Sequence, residues 1–182
     1  AVGWRALEAN TQGLENTAVG QKSMLASTTG MYNAAFGRAT LDANTTGSMN
    51  TALGYAVLTS ATTANDNTGV GGWALASNST GTSNVGVGNS ALYANTTGGK
   101  NTAVGYQALD ANTTGEYLSA FGYQALTNCT TGQYNNALGT YSQHGTTTGS
   151  HNTSLGYLSL GNATNVGNDN VALGHWCMVA NT

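Results

Sequence analysis

The sequence predicts an all-β fold, a parallel β-solenoid (β-roll) of about eleven 17-residue coils, and three recurring columns predict it. An apolar residue precedes a glycine at Gly3, Gly20, Gly37, Gly54, Gly71, Gly88, Gly105, Gly122, Gly139 and Gly156, every 17 residues. A second glycine keeps the same period at Gly13, Gly30, Gly47, Gly81, Gly98, Gly115, Gly132 and Gly149, with Ala64 standing in once. Asparagine is the third column: Asn16, Asn33, Asn50, Asn67, Asn84, Asn101, Asn135 and Asn152, with Leu118 as the exception. Self-similarity at a fixed period marks a repeat architecture in which each unit touches only its neighbours. Residues 1–182 are therefore expected to form one repeat array. Gly174 comes 18 residues after Gly156, so one residue is inserted between 157 and 173.

Within a coil, Asn101-Thr-Ala-Val is a short strand signal bounded by Gly105 and a polar turn. Strands stacked coil on coil would make a parallel sheet with a spacing of about 4.8 Å. The Asn112-Thr-Thr-Gly115 stretch is a turn, where glycine supplies a positive φ and Asn bonds its own backbone. The segment Tyr106–Ala111 is ambiguous. Its residues favour helix, yet it is too short to nucleate one. It is either a single helical turn or a second strand, and a second strand is the expectation.

Two apolar columns are read as the core ladder. One is Val19, Phe36, Leu53, Val70, Val87, Val104, Phe121, Leu138 and Leu155; the other is Leu41, Leu58, Leu75, Leu92, Leu109 and Leu126, broken once by Gln143. The turn and ladder positions are Asn16, Asn33, Asn50, Asn84 and Asn101 with Gly20, Gly37, Gly54, Gly88 and Gly105. The Asn side chains are expected to form amide ladders along the stack, as in other stacked β structures. A column of small residues, Ala6, Ala74, Ala91, Ala108 and Ala125, either lets a neighbouring chain approach or simply fits inside a thin coil.

Composition narrows the function classes. Charged residues are 6% of the chain, against roughly 25% in ordinary globular proteins. The four cations, Arg5, Lys22, Arg38 and Lys100, are scattered, which argues against nucleic-acid binding. No apolar run is long enough to span a membrane. The absence of proline and the fixed apolar columns argue against disorder. Cys129 and Cys177 fall in different columns, too far apart for a bond within one chain, so two free thiols are expected.

Catalytic and metal-binding patterns are missing from the sequence. His144 and His151 fall in variable positions, and the seven acids do not pair at a spacing that suggests general acid–base work. No enzyme activity, cofactor or metal is expected. Two surface features stand out instead. Aromatic residues follow the column glycine at Trp4, Tyr55, Tyr106, Tyr123 and Tyr157, and Trp73, Tyr141 and Trp176 lie one residue further on. They either stack against sugars or pack against a sister chain or adjacent coil. Threonine fills two adjacent columns, one through Thr45, Thr96 and Thr113, the other through Thr46, Thr97 and Thr114. At most one of these could face outward on a strand. Asn-x-Thr acceptor triplets occur at Asn44, Asn78, Asn95, Asn112, Asn128 and Asn162.

Asn101-Thr-Ala-Val-Gly resembles the Asn-Ser-Val-Ala-Ile-Gly repeats of trimeric autotransporter adhesin heads, the YadA-like β-rolls. The longer stretch from Asn101 to Gly115 is similar to repeats of phage and bacterial tail-fibre proteins. The resemblance covers essentially the whole chain. It implies a homotrimeric, extracellular, cell-surface or virion-borne fibre whose shaft or head is structural and adhesive; sugar stacking on the aromatic rows would make cell-surface glycans its partners. The chain starts and stops within a repeat, so a fragment of a longer fibre is expected. Two other readings stand beside it: an ice-binding solenoid using its Thr ladders, and a subunit of an end-to-end stacked filament.

Overall fold

The computed structural model describes residues 1–161 and 167–178. Its strands are β1 (Thr17–Val19), β2 (Ala34–Phe36), β3 (Thr51–Leu53), β4 (Thr68–Val70), β5 (Val85–Val87), β6 (Thr102–Val104), β7 (Ser119–Phe121), β8 (Asn136–Leu138), β9 (Thr153–Leu155) and β10 (Val171–Leu173). They form a single ten-stranded parallel sheet in chain order, so the molecule is a β-solenoid with one strand per coil. Val2 adds an isolated rung against Val19. Equivalent residues pair across each step, as Ala103 does with Ala120. Between β9 and β10 the step is 18 residues, Ser154 pairing with Ala172, so the inserted residue leaves strand register intact.

The second strand expected at Tyr106–Ala111 does not form, and no helix occurs among the described residues. The segment is a turn in which Gln107 and Leu109 take φ of 53° and 54°. Between them the amides point to different coils: Gln107 N–H reaches back to the Asn89 carbonyl, and Leu109 N–H reaches forward to the Ala125 carbonyl. Backbone groups removed from water must find partners. Here the left-handed conformation lets the chain curve while those inter-coil bonds persist. Gly105 closes the strand at φ 141°, where a Cβ would collide with the Gly122 carbonyl of the next coil. Gly20, Gly37, Gly54 and Gly88 repeat this geometry.

The core corrects half of the predicted ladder. Leu41, Leu58, Leu75, Leu92, Leu109 and Leu126 are fully buried and stack into one apolar column. The column of Val19, Phe36, Leu53, Val70, Val87, Val104, Phe121, Leu138 and Leu155 is not in the core. Leu53 and Leu138 are each 50% exposed and Phe36 is 42% exposed. Strand alternation is the reason. Asn101 and Ala103 point inward, so Thr102 and Val104 point outward, and only a small residue (Ala, Gly or Ser) sits at the inward strand centre. The column of Ala74, Ala91, Ala108 and Ala125 is also fully buried, so these small residues fill the thin interior rather than receive a neighbour.

The amide ladder is present. Asn50 Nδ2 donates to Asn33 Oδ1 at 3.1 Å, and Asn67 Nδ2 to Asn50 Oδ1 at 3.1 Å. Each Oδ1 also accepts a backbone N–H from the next coil, as Asn84 Oδ1 does from Asn101 at 3.0 Å. The Asn101 Nδ2 donates to the Gly115 carbonyl at 2.8 Å. Asn16, Asn33 and Asn50 thus tie the strand start to the polar turn. At the Leu118 exception the ladder skips one side chain, and Asn101 Oδ1 still accepts the Leu118 N–H at 2.9 Å.

Candidate functional surface

Within the strand the period-two rule turns two columns outward, and one exposed turn column flanks them on each side. Using one coil as a guide, these are the columns of Lys100, Thr102, Val104 and Tyr106. The strand itself supplies two rows, and neither carries a Lys, Arg, Asp or Glu. The row of Val, Phe and Leu runs unbroken through every strand, from Val19 to Leu173, the last 62% exposed. A groove of about 260 Å³ lies on this face, lined by Ser119, Phe121, Asn136, Leu138, Thr153 and Leu155. Of these, Phe121, Leu138 and Leu155 belong to the column expected in the core, and the structure places them on the surface instead. The signal was available: once Asn101 is assigned inward, parity sends Val104 outward.

Aromatic rings flank the strand on both sides. Tyr106 and Tyr123 stack at 5.2 Å with an 11° interplanar angle. On the other flank Tyr117 stacks on Tyr134 at 4.8 Å, and Tyr134 on His151 at 5.1 Å. Lys100 Nζ lies 4.6 Å from the Tyr117 ring centroid and donates to its hydroxyl. Tyr55 meets Trp73 edge-on, and Tyr157 stacks on His175 at 5.3 Å. Coil spacing near the optimum for ring contact causes this arrangement. Stacked rings cover one another's faces and turn edges and hydroxyls to solvent. Adjacent-coil packing, one of the two readings of these aromatics, is therefore what the rings do.

The two threonine columns differ. The inner one spends its hydroxyls within the stack: Thr45 Oγ1 donates to the Thr62 carbonyl at 3.0 Å, and Thr96 Oγ1 to the Thr113 carbonyl at 3.0 Å. The outer one, with Thr46, Thr97 and Thr114, is solvent-exposed, and it lies on the turn rather than on a strand. The acceptor triplets are mostly closed. Asn44, Asn78, Asn95 and Asn112 are fully buried, and Asn112 Nδ2 bonds Asn95 Oδ1 at 2.7 Å. Asn128 is exposed, with Nδ2 on the His144 carbonyl at 2.9 Å. Asn162 lies outside the described residues.

Ionisable groups are sparse and dispersed. Among the described residues no group of three or more His, Cys, Asp or Glu could hold a metal ion. One ion pair is found there, Arg5 with Glu8. His144 meets Tyr141 edge-on, and burial lowers its pKa from the ordinary 6.5. Cys129 and Cys177 are free thiols; Cys129 is buried, which pushes its pKa up to about 11. No described helix is long and apolar enough to cross a membrane.

No family model, curated protein or solved structure matches this chain.

Proposed function

We propose that the chain is a structural and adhesive segment of an extracellular or virion-borne fibre, a β-solenoid rod packed side by side with copies of itself. The observation that carries this is the uncharged apolar row Val19 to Leu173 along the outer sheet face. Monomeric soluble proteins rarely expose contiguous apolar patches of such extent. The occupant that fits is another copy of the chain. A parallel copy in register would meet the same residue classes at every level. Ten rungs at about 4.8 Å make this row about 45 Å long, enough for a copy to pack along its whole length. The repeats' resemblance to tail-fibre and adhesin-head sequences implies a trimer.

Such a rod needs no catalytic centre. Its adhesive contacts fall to the tyrosine edges and hydroxyls at the margins of the face, which suit neutral glycans. The test is the solution mass by sedimentation equilibrium. A folded assembly of three chains is expected, and Leu53→Asp with Leu138→Asp together should yield folded monomers. A wild-type chain that is folded and monomeric at high concentration overturns the reading. The exposed row of Thr46, Thr97 and Thr114 favours a second reading, an ice-binding surface, which an absence of thermal hysteresis removes.

A further inference from the structure

We propose that the coil carrying Gln143 is a built-in break in the stack, beyond which the C-terminal coils open as a unit while the rest stays closed. This inference is independent of how many copies assemble. In a linear array, stability is a sum of coil terms and nearest-neighbour terms, so the weakest junction sets where the array divides.

Four interior columns change chemistry around this coil. The leucine ladder runs Leu92, Leu109, Leu126 and then Gln143, before returning to Leu160. The alanine column becomes Ser142 and Ser159, the strand centre becomes Ser154, and the asparagine of the turn becomes Thr146. All are buried. Gln143 Nε2 is satisfied by the Asn136 and Asn152 carbonyls at 2.7 and 3.2 Å. Gln143 Oε1 and Thr146 Oγ1 are buried with no protein partner. A buried acceptor left unpaired weakens a folded unit, and here the apolar contact of a leucine is lost as well.

The N-terminal coils provide the contrast. Ser23 and Thr40 put hydroxyls into the same interior, but Ser23 Oγ bonds both Thr40 Oγ1 at 3.1 Å and the Ala35 carbonyl at 3.2 Å. Ser27 Oγ and Asn44 Oδ1 are also unpaired there, yet Met24 and Leu41 keep the apolar ladder continuous beside them. Among the described residues, an interrupted ladder and unpaired polar atoms coincide only at Gln143.

Hydrogen exchange of the intact chain tests the break. The inter-coil amides of Gln143, Thr153 and Leu160 donate to Ser159, Asn170 and Cys177. They should exchange together, about tenfold or more faster than those of Leu58, Leu75 and Leu92. Gln143→Leu restores the column and should slow the C-terminal set about tenfold while leaving the others unchanged. Leu92→Gln should create a second boundary in mid-array. Protection that falls smoothly toward both ends and ignores Gln143→Leu overturns the proposal, as does Leu92→Gln leaving both flanks equally protected.

Discussion

In each of the ten coils from Arg5 to Asp169, three non-glycine residues sit at positive φ, exemplified by Gln107, Leu109 and Tyr117 at 53°, 54° and 57°. Left-handed backbone costs an L-residue roughly 1–2 kcal/mol, so inter-coil hydrogen bonding must outweigh it. Ser83, exposed at φ 59°, isolates this term. Ser83→Val should destabilise by about 1–2 kcal/mol in urea unfolding, because β-branching adds to the strain. Ser83→Gly should be neutral or stabilising. Cys129 gives a second residue-scale outcome. Its folded pKa of about 11 exceeds the ordinary 9.0, so the unfolded chain loses that proton first and stability falls as pH rises through that window. Cys129→Asn, the residue its column carries at Asn112, should remove that part of the alkaline loss. A thiol reagent at neutral pH should label the partly exposed Cys177 and spare Cys129. At this scale the sequence was legible where one residue type holds a column: Leu109 and Asn101 fell where expected. Val104 did not, because two apolar columns look alike until strand parity separates them.

Each coil, as an element, is one three-residue strand and a long hydrogen-bonded turn. The strand was legible from Asn-Thr-Ala-Val-Gly. The turn over Tyr106–Ala111 was not, since Gln, Ala and Leu do not signal left-handed backbone. Tertiary bonding to the coils on either side overrides their local preference for helix. The threonine pair was half legible: Asn112-Thr-Thr-Gly115 signals the turn, but nothing in Thr-Thr says which hydroxyl is spent. Thr96→Val removes the bond to the Thr113 carbonyl and should cost about 1 kcal/mol, while Thr97→Val should stay within ±0.5 kcal/mol. Equal losses at the two sites would contradict the placement.

The whole molecule is a line of repeated coils with few and scattered charged side chains. Surface electrostatics therefore contribute little. The thermal midpoint should be nearly the same in dilute and in molar sodium chloride, after allowing for the general salting-out effect that strengthens apolar burial. A steep rise or fall at low ionic strength would mean that the few charges matter more than their dispersion suggests. The repeat made the solenoid legible through all ten strands. The apolar outer face was less legible, because it is defined by which way a strand points, a property of the coil and not of any residue in it.

The equal register of neighbouring strands has a consequence for how such a chain changes over time. Each rung contacts only the one above and the one below, and equivalent residues meet at every step from β1 to β9. Unequal recombination between homologous stretches of the gene would add or delete whole units and leave every remaining junction chemically familiar. The number of coils can then change in whole-unit steps, without passing through misfolded intermediates.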